Sequence, residues 1–295
     1  MTLLAYQIFQ TVVEQGSFQR AAEVLSLTPS AISHAISTAE KELGFPLFNR
    51  NKNGVTLTSY GENLQPYILT VLNSDAKLQQ AILEFNGLTH GSVKIGTFSS
   101  VCNSFIPDLV TSFSKLHPNI EIKIYQGTYD DVYSWIKTGV IDLGFLSESS
   151  CKDIPITPLY QDELLCIVPK AFRTKHRNYI ELEELKEENF VSQRESTDAD
   201  IQNLFQKHQL KIRSSCHVVD DLSTIAMVAA GLGICIMPRL VMQNIPYDVD
   251  MYPLKPAEHR TIGLCCLNAE LMAPAVKSMQ KHILKYFKNM GGNRK

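Results

Sequence analysis

The chain has 295 residues, which exceeds one ordinary domain and suits two or three that each bury a core. No apolar run approaches the ~18 residues of a membrane helix, and no basic-then-apolar signal opens the chain, so we expect a cytosolic protein. The formal net charge of −2 argues against a partner held by overall positive charge. Seven cysteines without C-x-x-C spacing argue for reduced, packed thiols rather than a disulfide framework or zinc site.

Residues 1–58 carry the pattern of three helices followed by a hairpin. Gly16 ends the first helix, Ser17 is the expected N-cap of a short second helix, and Thr28 caps the third helix after a short turn. Pro29 occupies the first turn of that third helix, where a missing N–H costs nothing. The first helix is indicated by apolar residues at helical spacing, namely Leu4, Ile8, Phe9, Val12 and Val13.

The third helix has two different faces. One is an apolar stripe expected to face the core, formed by Ala31, Ile32, Ala35, Ile36, Ala39 and Leu43. The other carries short polar side chains, Ser30, Ser33, His34, Ser37 and Thr38. Such a slim, hydrogen-bonding face suits the roughly 12 Å-wide major groove of DNA. The alternative is an ordinary solvent-facing side, which usually carries Lys and Glu, so we predict that this face contacts base edges.

A wing is predicted after the third helix. Two β-prone runs joined by an Asn53-Gly54 turn form a hairpin, and Arg50 and Lys52 lie near its tip, where they could contact phosphate. The cations and acids of residues 1–58 cancel, so we expect modest affinity from one domain and binding as an oligomer. The predicted DNA-binding residues are Ser17, Arg20, Thr28, Pro29, Ser30, Ser33, His34, Ser37, Arg50 and Lys52.

Residues 59–86 predict a long linker helix with a heptad seam. A helix with such a seam usually pairs with its copy, although it could instead pack on its own chain. Pro66 predicts a bend near the start of this helix. Turn-forming residues 87–91 follow and are the expected hinge. The seam consists of Leu64, Val71, Leu78 and Phe85, interleaved with Ile68, Asp75 and Ile82.

Residues 92–295 alternate strand and helix patterns. A βαβαβ unit with a parallel sheet is predicted up to about residue 146, and a second set of strands and helices follows. The natural packing is two α/β lobes, the first at about 92–162 and 266–295 and the second at about 163–265. Because ligands of such sheets bind at the carboxyl ends of strands, we expect a binding cleft between the lobes.

Several motifs in order along the chain resemble LysR-type transcriptional regulators. The resemblance implies an N-terminal all-α winged helix-turn-helix, a dimerising linker helix and a two-lobed, periplasmic-binding-protein-like α/β effector domain. It also implies a homodimer or homotetramer on operator DNA, with RNA polymerase as a further candidate partner. The residues that carry it are Ala21-Ala22-Glu23-x-Leu25-x-x-Thr28-Pro29-Ser30-Ala31-Ile32-Ser33-x-x-Ile36, Glu42-Leu43-Gly44-x-x-Leu47-Phe48-x-Arg50, Leu57-Thr58-x-x-Gly61, Gly139-x-x-Asp142-Leu143-Gly144, and Val228-Ala229-Ala230-Gly231-x-Gly233-Ile234 with Pro238.

Two positions depart from the family pattern. Asn53 stands where the family usually has an arginine, which removes an expected contact between the wing and the DNA backbone. His34 stands at a recognition-helix position more often filled by glutamine, so the operator preference of relatives does not carry over.

The cleft of a two-lobed domain predicts which residues meet an effector. We expect a small metabolite, with a carboxylate held by Ser99, Ser100 and Thr197 as the hypothesis, although each residue could equally cap a helix or form a turn. Arg194 could anchor the carboxylate or point to solvent. The predicted effector-binding residues are Thr97, Ser99, Ser100, Val101, Cys102, Leu146, Ser147, Gln193, Arg194, Thr197, Asp220 and Asp221.

Three other functional classes remain as alternatives. Cys102 and Cys216 could make the chain a thiol-based redox sensor, although no basic residue flanks Cys102. A solute-binding protein would explain two lobes but not the helix-turn-helix. An enzyme would need a nucleophile with its base, a metal set or a phosphate loop, and no convincing one occurs in the sequence. We therefore predict no cofactor and no metal.

Overall fold

The computed structural model describes residues 1–51, 54–85, 91–193, 199–243, 245–267 and 272–292. The chain divides near residue 88 into two compact units. Among the described residues, no helix has both the length and the apolar character needed to cross a bilayer. The first unit contains helices α1 (Leu3–Gln15), α2 (Phe18–Leu25), α3 (Pro29–Leu43) and α4 (Ser59–Phe85), and strands β1 (Phe48–Asn51) and β2 (Gly54–Leu57).

Local signals set the ends of the first three helices. Gly16 ends α1 with a left-handed φ of 62°, a conformation that glycine adopts without strain. Ser17 and Thr28 cap α2 and α3, each accepting a hydrogen bond from a backbone N–H three residues on. The predicted stops and caps are therefore confirmed, and the antiparallel β1–β2 hairpin is confirmed as well.

The core of the first unit lies between α1, α2 and α3. From α3, Ile32 and Ile36 are completely buried and Ala39 is nearly so, as the apolar stripe predicts. Ala31 is the exception, because it is exposed and lies beside the polar face of α3. Its assignment to the inward stripe was wrong, because 3.6 residues per turn place it about 100° round the helix from Ile32.

Helix α4 runs without interruption through Pro66. Its apolar residues divide into two groups. Ile68 is buried in the core of the first unit and Leu64 packs against that core. Val71, Leu78 and Ile82 are exposed. Among the described residues of the predicted seam, this second group is therefore free, within this chain, to pair with another helix.

The second unit is α/β. Its helices are α5 (Ser99–Ser104), α6 (Ile106–Leu116), α7 (Tyr129–Lys137), α8 (Ala199–Lys207), α9 (Asp221–Ala229) and α10 (Pro274–Gly292). Its strands are β3 (Gly91–Thr97), β4 (Ile120–Gln126), β5 (Leu143–Ser147), β6 (Ile156–Pro169), β7 (Ile180–Glu181), β8 (Asn189–Gln193), β9 (Arg213–Val218), β10 (Cys235–Pro238), β11 (Val249–Lys255) and β12 (His259–Cys265). The parallel pairing of β3 with β4 and β5 confirms the predicted βαβαβ unit.

Strand β6 is shared by both lobes. Its first half pairs antiparallel with β12, which also pairs with β5 in the first lobe. Its second half pairs antiparallel with β10 and β11 in the second lobe. The chain thus returns to the first lobe before β12, and the predicted boundary near residue 265 was placed one strand too late. Single-strand patterns do not reveal which lobe a strand joins, because pairing is a long-range contact.

Candidate functional sites

The polar face of α3 is accessible, as the sequence predicts. Thr28, Pro29, Ser30, His34 and Ser37 are all exposed. The Thr28 side chain accepts the capping hydrogen bond from the Ala31 N–H at 3.2 Å and lies 3.0 Å from the Ser30 hydroxyl. Each hydroxyl has one donor and two acceptor lone pairs, so these groups can still form further hydrogen bonds.

The start of α2 lies in the same unit and contributes two predicted DNA-binding residues. The Ser17 hydroxyl accepts a hydrogen bond from the Arg20 backbone N–H at 3.4 Å, and the Arg20 side chain is exposed. Arg20 has no ion pair among the described residues, so its guanidinium is open to a phosphate.

Arg50 pairs with Val55 near the tip of the β1–β2 hairpin, as predicted, and its side chain also contacts α3. Its guanidinium contacts the hydroxyls of Ser33 and Ser37 on α3, both at 3.4 Å, and lies 3.5 Å from a Glu40 carboxylate oxygen. It also lies over the Phe18 ring, 4.8 Å from the centroid. Arg50 thus places a positive charge on the polar face of α3 itself. Lys52 lies outside the described residues.

A cavity of about 310 Å³ lies between the two lobes of the second unit. It is lined by the carboxyl-terminal end of β8 and by segments that follow β3, β4 and β9, as the strand-end rule predicts. Its apolar wall includes Phe190 and Phe205, and Phe98 packs edge-to-face on Tyr129 with 4.8 Å between centroids. Of the predicted effector-binding residues, those that line the cavity are Ser99, Ser100, Gln193, Asp220 and Asp221.

Five predicted residues do not line this cavity. Thr97, Val101, Leu146 and Ser147 are completely buried in the first lobe. Leu146 and Ser147 point to opposite faces of β5, and both faces of this strand are covered. Cys102 is half-buried and does not line the cavity. The expectation that Leu146 and Ser147 form the floor was therefore wrong. Arg194 and Thr197 lie outside the described residues.

Arg260 on β12 also lines the cavity, and the sequence patterns did not predict it. Arg260 is 6% exposed and donates two hydrogen bonds to one carboxylate oxygen of Asp162, at 2.7 and 3.0 Å. It donates further bonds to the Tyr129 and Ser100 hydroxyls, both at 2.8 Å. Arg260 and Asp162 face each other across the β12–β6 pair, so the sheet register brings them together.

A second carboxylate extends this buried network. Asp200, at the start of α8, accepts hydrogen bonds from the hydroxyls of Tyr129 at 2.8 Å, Ser147 at 2.5 Å and Ser149 at 2.6 Å. Burial raises the pKa of Tyr129 well above its ordinary value, so Tyr129 stays a neutral donor at neutral pH. The network joins the first lobe to α8 of the second lobe, and its polar atoms form hydrogen bonds with one another.

Other chemically notable groups are separate from the cavity. Burial raises the pKa of the Cys102 thiol, which disfavours the reactive thiolate. The sulfur atoms of Cys151 and Cys265 lie 3.3 Å apart, and burial raises the pKa of Cys265. Within the described residues, one trio offers metal-ligand atoms within 4.8 Å of one another, His176, Glu181 and Glu184.

Comparison with known proteins assigns each of the two units to a family. Together they define a regulator with a DNA-binding module and a ligand-binding module. Residues 3–62 match the bacterial regulatory helix-turn-helix protein model of the lysR family, and residues 86–288 match the LysR substrate binding domain. The chain belongs to the LysR family of bacterial transcriptional regulators. The predicted family, fold class and DNA-binding regulator function modulated by a small molecule are thereby confirmed.

Individual relatives agree with this assignment. The chain is 28% identical over 267 residues, 90% of this chain and 91% of the relative, to the HTH-type transcriptional regulator YvbU of Bacillus subtilis, whose function is uncharacterized. Full-length CbnR bound to its target DNA shares the fold with a TM-score of 0.66 and 19% identity, over 97% of this chain and 99% of that one. The effector-binding domain of QuiR with shikimate gives a TM-score of 0.61 and 24% identity, over 68% of this chain and 98% of that one.

Proposed function

We propose that the exposed face of α3 binds the major groove of operator DNA and that a small molecule in the cavity of the second unit modulates this binding. The observation that carries the proposal is the accessible row of short polar side chains Ser30, Ser33, His34 and Ser37, with the Arg50 guanidinium held against it. Short side chains let the helix backbone approach base edges closely, and the cation supplies attraction to phosphate. CbnR, which has this fold, is described in complex with its target DNA.

The proposed DNA-binding form is a homodimer or homotetramer. The exposed apolar residues Val71, Leu78 and Ile82 on α4 support this, since they would be covered by the same helix of a second copy. The first 58 residues carry no net charge, so two copies of α3 on adjacent half-sites are needed for firm binding. Leu78→Asp should therefore lower the molecular mass in sedimentation equilibrium without unfolding the first unit. An unchanged mass would contradict this interface.

The second unit is proposed to act by binding rather than catalysis. Its cavity combines an aromatic wall with a few convergent polar groups, which is typical of a ligand site. The relatives matched over nearly the whole chain are named as transcriptional regulators. A ligand that bridges Ser100 of the first lobe and Gln193 of the second would favour a closed arrangement of the lobes.

Fluorescence anisotropy with DNA from upstream of the protein's own gene tests the proposal. We expect sequence-selective binding that weakens steeply with salt. A panel of small metabolites is then added, and at least one should change the DNA affinity by about 5- to 150-fold. Lack of selectivity over scrambled DNA would contradict the α3 assignment. A ligand that fills the cavity but leaves the DNA affinity unchanged would contradict the regulatory role.

A further inference from the structure

The charges around the cavity are strongly one-sided. Four carboxylates line it, those of Asp131, Asp200, Asp220 and Asp221. Among the described lining residues, the guanidinium of Arg260 is the one cation. A neighbouring cavity of about 450 Å³ shares Ser99, Asp220 and Asp221 with the first and adds no cation from the described part of the chain. An entering ligand therefore meets an excess of negative charge.

Arg260 does not balance this excess. Four of its five N–H groups already donate hydrogen bonds, two to Asp162, one to Tyr129 and one to Ser100. Its single positive charge is opposed by the buried carboxylate of Asp162, which is 1% exposed, and by Asp200 beyond the Tyr129 hydroxyl. The guanidinium thus serves as a neutralised part of the wall, with one N–H left for a ligand acceptor.

Among the described residues, the remaining three carboxylates have neutral hydrogen-bond partners. Asp131 accepts from the backbone and hydroxyl of Thr128, Asp220 from those of Ser223, and Asp221 from the Gln193 amide, at 2.7–2.8 Å. No ion pair joins these carboxylates to a basic side chain within the described ranges. Hydrogen bonds from Ser223 lower the pKa of Asp220, which keeps it charged. These neutral donors hold the carboxylates at the N-terminal ends of α7 and α9, whose helix dipoles offset only part of the negative charge.

We infer that the effector is a cation, such as an amine or guanidine carried on an apolar or aromatic body, rather than the carboxylate that the sequence suggests. The cationic group would lie at the rim formed by Asp131, Asp220 and Asp221, and the apolar body against Phe98 and Phe205. An anion placed there would be repelled by three fixed charges, and the Arg260 guanidinium would offer it a single N–H. This inference rests on the proposed function, because it describes the ligand of that same cavity.

The test measures the sign of the electrostatic potential at the cavity wall. In full-length Ser99→Cys protein, the introduced thiol at the cavity wall is labelled with cationic trimethylammonium-ethyl methanethiosulfonate or anionic sulfonatoethyl methanethiosulfonate. Each forms a disulfide and releases methanesulfinate, and fragment-ion mass spectrometry locates the label among the native cysteines. Because both reagents attack the same thiolate, the ratio of the two rates cancels its reactivity. Thr111→Cys is the control, since this exposed site on α6 lies between Asp108 and Lys115, whose charges balance.

We expect the cation-to-anion rate ratio at position 99 to exceed the control ratio by about tenfold in 0.1 M salt. Combining Asp131→Asn, Asp220→Asn and Asp221→Asn should bring it within about twofold of the control, because asparagine keeps one acceptor oxygen at each position and removes the charge. A ratio at or below the control, with rapid labelling, overturns the cation assignment alone. Labelling by neither reagent means that the cavity is closed to solutes, which overturns the proposed effector site as well.

Discussion

The polar face of α3 and the cavity of the second unit are both accessible polar sites, but they are built differently. The α3 face comes from four positions within eight residues, Ser30 to Ser37, and one helix places them all. The cavity takes its residues from Phe98 to Arg260, and sheet pairing brings them together. A site on one helix should lose function on substitution without losing the fold, whereas a site assembled through a buried network should lose both.

The largest loss of stability is expected in the buried network of the cavity wall, a feature that the α3 face does not have. Arg260→Met removes the cation that faces buried Asp162 and leaves that carboxylate without its partner. Breaking a buried pair in this way should lower the free energy of unfolding by about 3–5 kcal/mol. Urea denaturation followed by circular dichroism measures the loss in the second unit.

A double variant separates charge from packing at this position. Adding Asp162→Asn to Arg260→Met removes the stranded charge while keeping an acceptor for the Leu240 N–H. We expect it to recover more than half of the loss. Wild-type stability in the single variant would show that the network does not hold the cavity wall.

The polar face of α3 should show the opposite behaviour. His34→Ala removes an exposed side chain, so stability should change by less than about 0.5 kcal/mol. Operator affinity should fall by about 1–3 kcal/mol if the imidazole contacts a base edge. Anisotropy and thermal melting measure the two quantities, and Lys115→Ala, an exposed change in the second unit, is the control. A parallel loss of stability would remove the contrast between the two sites.

The α3 face and the cavity also differ in how much of each could be predicted from the sequence. The α3 face was predictable because a capped helix with apolar residues at three- and four-residue spacing fixes which side chains face outward. Arg260 was not, because the run His259-Arg260-Thr261 looks like any polar strand until β12 is paired with β6. Ser147 shows the converse error. It ends a strand, as expected of a ligand residue, yet its hydroxyl is used by Asp200 inside the protein.

The smallest effect is expected at a long-range contact near the surface. Burial raises the pKa of Glu258, but hydrogen bonds from Lys207 and His208 outweigh it and leave the pKa below its ordinary 4.5. A lowered carboxyl pKa contributes stability that is present above the ordinary pKa and is lost as the pH falls through the lowered value. Glu258→Gln should cost about 1 kcal/mol at pH 7.

The pH dependence makes this last prediction specific. The stability difference between wild type and Glu258→Gln should shrink toward zero at pH values below 4.5, where the wild-type carboxylate becomes protonated. Urea titrations at several pH values measure it. A difference that is constant with pH would mean that the charge of Glu258 does not stabilise the fold. In that respect the contact would resemble the α3 face, where substitution should leave the stability nearly unchanged.

The sharing of β6 and the late position of β12 have a consequence for biosynthesis. Strand β5 ends at Ser147, but its antiparallel partner β12 begins at His259. The ribosome must therefore add roughly 110 more residues, which takes about 6–22 s at about 5–20 residues per second. During that time one edge of the growing first-lobe sheet is open, and open strand edges pair readily with other chains. The nascent protein thus depends on prompt completion of translation, and truncated products that stop before β12 should be aggregation-prone.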